Sequence, residues 1–234
     1  MTQVTWNAAW DDKPAEYAAK RDCWLTRRRT RYVAGFLGKA ERGDRVLELG
    51  SGVGQLLIAL AGERPDLEFT GIEPQQSYVD YSAEAAAREG VTNLAFRTAA
   101  AEEVDRKLPE GSRFDWILSN DVLHHVSDTR RVLDAAAALS HAKTRWLAIE
   151  PNARNPYSFL SALVRRGERN FWPREFLDDA RASGWAQEAA GFLFLIPPFI
   201  RSAPEFLVRL EQRVEDIPLF AGGIALTLGR RLSE

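Results

Sequence analysis

Two hydrophobic periods alternate along the chain. Between residues 15 and 38 the apolar positions Trp24, Leu25, Tyr32, Val33, Phe36 and Leu37 stand among charges, which predicts one or two N-terminal helices. Residues 44–49 form a short apolar run expected to be a buried strand, and 55–64 a helix stopped by Pro65. A second strand is expected at 67–72, then a helix over 75–89 that ends at Gly90, the usual C-terminal glycine. Residues 93–97, 115–119 and 145–149 read as the third, fourth and fifth strands, with an alanine-rich helix at 128–140. This alternation implies right-handed crossovers and a mostly parallel sheet covered by helices on both faces.

The pattern changes after residue 150. A helix is expected at 173–183, a strand from 185 to 196 running into Pro197 and Pro198, an amphipathic helix at 205–216 and a last strand at 223–228. No crossover forces the last two strands to be parallel, so they fit an antiparallel edge. The 234 residues suit one α/β domain and would be crowded by a second. The expected division is a helical cap at 1–43, a core at 44–150, and insertions with the C-terminal strands at 151–234.

Composition narrows the classes. With 45% hydrophobic and 27% charged residues the chain is too apolar for disorder. A formal charge of -2 and a pI near 6.0 give no global attraction to nucleic acid or acidic lipid. Cys23 is the single cysteine, so a disulfide framework or a cysteine-based zinc site cannot be assembled within the chain. No metal is expected. The first residues include Trp6, Trp10, Asp11 and Asp12 where a secretory signal would need a basic start and an apolar run. A cytoplasmic protein without a transmembrane segment is the expectation.

The sharpest motif is Val46-Leu47-Glu48-Leu49-Gly50-Ser51-Gly52-Val53-Gly54. A buried strand ends near a carboxylate and enters a glycine-rich turn, where the backbone can approach a ligand closely before a helix begins near Gln55. Nicotinamide and flavin enzymes use G-x-G-x-x-G, which would require glycine at Gln55 or Leu57, so that spacing fails twice. Glu73, in Gly71-Ile72-Glu73-Pro74, stands at the end of the next strand, about 20 residues after the glycine turn. A carboxylate there can accept from both hydroxyls of a ribose. The combination points to an adenosine moiety.

With the stretch Asp115-Trp116-Ile117-Leu118-Ser119-Asn120-Asp121-Val122-Leu123-His124-His125-Val126, the chain resembles the class I small-molecule methyltransferases, from about residue 10 to residue 152. The resemblance implies a Rossmann-like, seven-stranded, mostly parallel sheet with a reversed C-terminal β-hairpin, and S-adenosylmethionine as cofactor. It implies that the turn of Glu48, Gly50, Ser51, Gly52 and Gly54 surrounds the methionine part, and that Glu73 with Pro74 holds the ribose. Asn120 and Asp121 then line the gap between sulfonium and acceptor. One departure concerns adenine. The family often has an acidic residue before alanine after the third strand, whereas this chain has Ala99-Ala100-Ala101-Glu102-Glu103. Ala100 has no acceptor to offer, which leaves the Ala101 backbone N–H and the Glu102 carboxylate as the implied partners.

Methyl transfer from a sulfonium asks the protein chiefly to align a nucleophile and exclude water. His124 and His125 are candidate bases because imidazole titrates near neutral pH. Packing beside the fourth strand is an equally open role for them. Asp121 and Tyr17 complete the catalytic candidates, Tyr17 because relatives fold an N-terminal helix over the site, where Trp6 and Trp10 also fall. The run Arg27-Arg28-Arg29 with Arg31 is expected to be a solvated helix face.

The expected acceptor is a small molecule. Arg154, Asn155, Tyr157, Arg165 and Arg166 follow the fifth strand at the edge where open α/β sheets bind ligands. The segment Phe192-Leu193-Phe194-Leu195-Ile196-Pro197-Pro198-Phe199-Ile200 and the helix after it are candidates for an apolar pocket, a peripheral membrane contact or a dimer face. Monomer and homodimer both stay open, as does the acceptor atom, O, N or C. Asn120 is followed by Asp121-Val122-Leu123 instead of the Pro-Pro-Tyr of exocyclic-amine methylation, and Cys23 lies upstream of any cytosine-C5 position, so no nucleic-acid partner is expected. A nucleic-acid or protein methyltransferase and a non-enzymatic adenosine-binding module are the alternative readings.

Overall fold

A computed structural model of the chain describes residues 12–164 and 169–231. Two helices, α1 (Pro14–Arg21) and α2 (Trp24–Phe36), precede the sheet. Then follow β1 (Arg45–Leu49), α3 (Gln55–Glu63), β2 (Glu68–Glu73), α4 (Gln76–Arg88), β3 (Leu94–Thr98), α5 (Val104–Lys107), β4 (Trp116–Asn120), α6 (Thr129–Ala138) and β5 (Arg145–Pro151). The C-terminal part holds α7 (Pro156–Val164), α8 (Pro173–Ala182), β6 (Trp185–Leu193), α9 (Glu205–Val214) and β7 (Gly223–Arg230).

The seven strands form one sheet in the order β3-β2-β1-β4-β5-β7-β6. β1 to β5 pair in parallel, while β7 is antiparallel to both of its neighbours. The sheet therefore has six strands in one direction, with β7 inserted in reverse between β5 and the edge strand β6. The order reverses between β1 and β4, so the connections that follow these two paired strands part and leave a crevice at their carboxyl ends, the place where open α/β sheets take ligands.

Period-two alternation supplies the core. Leu47, Ile117, Trp146 and Ala148 face one apolar layer, and Val46, Leu118, Leu147 and Ile149 the other. The first layer packs under α6 and α8, where Trp146 and Trp185 meet edge to face at 5.4 Å. Their indole N–H groups donate to Ser119 Oγ and to the Leu133 carbonyl, so neither ring buries an orphaned donor. The second layer packs under α2 and α3 through Val33, Leu57 and Leu60.

Besides the short helix α5, which the sequence pattern did not predict, two features next to a large cavity differ from it. Residues 156–164 form a helix that the pattern did not predict. Its start is fixed by Asn155, whose Oδ1 accepts from the backbone N–H groups of Tyr157 and Ser158. β6 also ends at Leu193, three residues earlier than expected, because Phe194 takes a φ of 69° and turns the chain out of the sheet. Trp6, Trp10, Arg165 and Arg166 lie outside the described residues. Among the described residues, no helix is long and apolar enough to cross a membrane.

Candidate active site

The glycine turn after β1 is built on left-handed backbone. Gly50, Gly52 and Gly54 have φ values of 70°, 55° and 73°, a region that side chains with a Cβ enter only under strain. Gly50 also lies so close to the segment after β4 that a Cβ there would stand 2.4 Å from Val122 Cγ2. The turn is held from β2: Glu73 Oε2 accepts from the Gly52 N–H at 3.0 Å, and Oε1 from that of Gln75 at 3.2 Å.

Glu48 is 2% exposed, and its Oε1 accepts from Asn120 Nδ2 at 2.9 Å across the β1–β4 seam. Burial pushes both the Glu48 and the Glu73 carboxyls up to about 7. Among the described residues, Glu48 Oε2, Ser51 Oγ and Asn120 Oδ1 are buried here without a hydrogen-bond partner. Orphans of that kind are rare in native interiors and mark a place for a polar guest.

Glu48, Gly50, Ser51, Gly52, Glu73 and Asn120 line a cavity of about 120 Å³ at the carboxyl ends of β1, β2 and β4. A second cavity of about 660 Å³ lies beside it, walled by the chain after β5, by α7 and by residues 194–198. The two share five residues: Tyr17, Arg21, Arg29, Asp121 and His125. Tyr17 and Arg21 stand one turn apart on α1, and Leu25 and Arg29 one turn apart on α2, so a face of each helix roofs the junction.

That roof is fastened by charge. Asp121 accepts from Arg29 Nη2 at 2.7 Å and from Arg21 Nη2 at 3.3 Å. Burial alone would push the Asp121 carboxyl up, but the two guanidinium groups outweigh it and hold the group well below the usual carboxylate range. Burial pushes the Tyr17 hydroxyl up, so the phenol stays protonated at neutral pH. Below the roof, Glu150 at the end of β5 is 1% exposed and accepts from the backbone N–H groups of Val122, Leu123 and His124. Its Oε2 also lies 2.7 Å from His124 Nδ1, and the His125 ring lies against His124 with centroids 3.9 Å apart.

A family model described as a methyltransferase domain matches residues 40–174. The chain belongs to the methyltransferase domain family.

Among curated relatives, this methyltransferase is similar to a tRNA (guanine-N(7)-)-methyltransferase of Shewanella pealeana, with 41% identity over 70 residues. That match covers 30% of either protein, so the chain spans less than a third of the relative's length. Among solved structures it resembles an S-adenosylmethionine-dependent methyltransferase from Archaeoglobus fulgidus, with a TM-score of 0.64, 19% identity, and coverage of 88% of this chain and 93% of the other. It also resembles geranyl diphosphate C-methyltransferase from Streptomyces coelicolor, with a TM-score of 0.66, 14% identity, and coverage of 88% and 79%. At such identities the likeness is one of fold.

In the methyltransferase, the smaller cavity gathers Tyr17, Glu48, Gly50, Ser51, Gly52, Glu73, Pro74, Ala101, Asn120, Asp121 and His125 from the residues that the sequence singled out. His124 lines only the larger cavity. Gly54 and Glu102 line neither. Gly54 packs against Phe96 and Ser82, while Glu102 Oε1 accepts from the Ser127 N–H and its Oε2 is buried without a hydrogen-bond partner among the described residues.

The arginine run is only in part the solvated face that its spacing predicts, for Arg27 and Arg31 are exposed and Arg28 and Arg29 are not. Arg27 pairs with Asp22 on the surface, but Arg28 binds Glu215 at 2.6 Å, Arg29 is 5% exposed in the junction, and Arg31 lies over Trp24. Arg21 and Arg29 are the site residues that sequence reasoning missed. The four-residue spacing of Tyr17 to Arg21 and of Leu25 to Arg29 was the available signal.

Proposed function

We propose that this methyltransferase passes the methyl group of S-adenosylmethionine to a small molecule with an apolar body seated in the larger cavity. The observation that carries the reading is the pairing of the two cavities. One is walled by unpartnered polar atoms of Glu48, Ser51 and Asn120 beside a glycine turn, the other is mostly apolar, and they meet at a five-residue junction.

In this reading the glycine turn and the Glu48–Asn120 pair hold the charged methionine portion. Glu73 accepts from the ribose hydroxyls, in exchange for or beside its backbone partners. Ala101 offers its backbone to the adenine. Tyr17, Asp121 and His125 bound the passage through which the methyl group moves, and the roof of α1 and α2 excludes water from it. The bound cofactor supplies an already activated methyl group, so alignment is the protein's main contribution.

Calorimetric titration with S-adenosylhomocysteine, followed by a methyl-transfer screen over small acids, alcohols, amines and bulk tRNA, tests the proposal. Binding of the cofactor product with transfer to a small apolar acceptor is expected. Transfer to tRNA alone would replace this reading with the activity named for the Shewanella relative, whose match is confined to 70 residues.

A further inference from the structure

Arg29 occupies an unusual position for a cation. It is 5% exposed, its Nη2 is committed to Asp121, and its Nε–H has no hydrogen-bond partner among the described residues, although the side chain lines both cavities. A buried, unsatisfied guanidinium donor at the mouth of a cavity calls for an acceptor atom from outside the protein.

The surrounding backbone is shaped to this side chain. Among the described residues, two without glycine's freedom have positive φ, Asp121 at 54° and Phe194 at 69°. Both face Arg29, one as its ion-pair partner and the other with its ring centroid 5.7 Å from the guanidinium carbon. Strained residues of this kind cluster where function holds them.

The charge balance points the same way. Arg21 and Arg29 share the single carboxylate of Asp121, and Arg169 stands in the wall of the larger cavity. Glu150, the other carboxylate in that wall, is already engaged by three backbone N–H groups and His124. Glu48 stands behind the junction and is bonded to Asn120. The junction thus carries an excess positive charge before a sulfonium cofactor adds its own. The body of the larger cavity is apolar, with Leu25, Ile149, Phe194, Leu195, Ile196 and Phe220 in its wall.

We propose that the methyl acceptor is an apolar carboxylic acid, bound as its anion through Arg29 and methylated on the carboxylate oxygen. This rests on the cofactor reading above. A lone pair of the carboxylate oxygen forms the new C–O bond while the methyl carbon–sulfur bond breaks and its electron pair stays on sulfur. A cation and an anion become a neutral thioether and a neutral methyl ester. No proton is released, and a carboxylic acid is already ionised at neutral pH, so the step needs no base. The ester loses its charge-assisted bond to Arg29, which favours its release.

The test is calorimetry on protein saturated with S-adenosylhomocysteine, near neutral pH, with octanoate, decanoate and dodecanoate, the alcohols of the same lengths, and decylamine. The best acid is expected to bind at least about tenfold more tightly than its alcohol, and the amine more weakly than either. Arg29→Met, which leaves Asp121 its Arg21 partner, should bring the acid down to the affinity of the alcohol. With radiolabelled S-adenosylmethionine the acid should yield a base-labile methyl ester. An alcohol or amine that binds as tightly as the acid in the unaltered protein would overturn the proposal without recourse to the variant. Failure of S-adenosylhomocysteine to bind at all would instead overturn the assignment of the cofactor cavity.

Discussion

Arg29 reaches 2.7 Å across from α2 to Asp121 at the end of β4, and this contact ties the helical roof to the sheet where the two cavities meet. Asp121 answers two guanidinium groups from a left-handed backbone, φ 54°, which asparagine tolerates as well as aspartate does. Asp121→Asn therefore removes the charge and keeps the turn. Breaking a largely buried pair by neutralising one partner typically costs about 3 kcal/mol. Chemical denaturation should show a loss of that order, and the N-terminal helices should become more sensitive to limited proteolysis. An unchanged denaturation midpoint would mean that the roof is held by packing alone.

Glu73 accepts from the backbone N–H groups of Gly52 and Gln75 and also borders the smaller cavity. Replacing it with alanine should weaken S-adenosylhomocysteine binding by at least tenfold, or about 1.4 kcal/mol, by calorimetry. The strands it follows are buried independently of it, so the far-ultraviolet circular dichroism should be retained. Unchanged affinity would remove Glu73 from the ribose position.

Much of this arrangement is legible in the residues. The parallel strands announce themselves as short apolar runs because both faces of the sheet are covered, and β1 is buried from Val46 to Leu49. The glycine turn and Glu73 are local signals, readable because close backbone approach leaves few residue choices. What pairing alone decides is less visible. Arg29 sits in a run of charges that looks solvated, and only the docking of α2 against Asp121, 92 positions away, buries it. Glu102 gives one carboxylate oxygen to the Ser127 N–H, a contact that no period encodes. The start of α7 rests on an Asn155 cap within a segment whose apolar residues Leu160 and Leu163 remain exposed, so no amphipathic stripe marked it.

The two raised carboxyls set a pH dependence. Glu48 and Glu73 are pushed from an ordinary 4.5 to about 7 by burial. Between those values the folded protein holds protons that the unfolded chain has released. Their contribution to stability is complete at the acid end and is lost as pH rises through about 7. A cofactor that brings positive charge and ribose donors favours the ionised forms. Its affinity should therefore rise from about pH 6 to about pH 8, with protons released on binding. Calorimetry in buffers of different ionisation enthalpy measures that release directly. Proton uptake, or a flat affinity across this range, would contradict the electrostatic picture of the cavity.

Gly50 and Gly52 separate folding from binding. A Cβ on Gly50 would collide with Val122, so Gly50→Ala should destabilise the protein by more than the roughly 1–2 kcal/mol of left-handed backbone strain. At Gly52 the nearest atom to such a Cβ is Tyr17 Cε1 at 3.8 Å, so the methyl group of Gly52→Ala would project toward the roof of the smaller cavity. This variant should fold, with only the backbone strain as its cost, and lose most of its affinity for S-adenosylhomocysteine. Retained binding in Gly52→Ala would place the cofactor elsewhere.

Glu211 provides the last test, because its one carboxylate joins three segments beside the larger cavity. It is fully buried on α9. Oε1 accepts from the backbone N–H groups of Leu195 and Ile196, while Oε2 accepts from Trp24 Nε1 and lies 3.7 Å from Arg28 Nε. Residues 195 and 196 belong to the cavity wall, so one carboxylate holds the wall, the N-terminal helices and α9 in register. Glu211→Leu fills a similar volume but strands three donors and leaves Arg28 with Glu215 alone. A loss of about 3 to 5 kcal/mol is expected in urea unfolding, as for other buried charges deprived of a partner. If the variant still folds, binding of acceptors should fall by more than tenfold while S-adenosylhomocysteine affinity changes little, since Glu211 does not border the smaller cavity. Equal losses for both ligands would mean that α9 supports the whole crevice and not the acceptor wall alone.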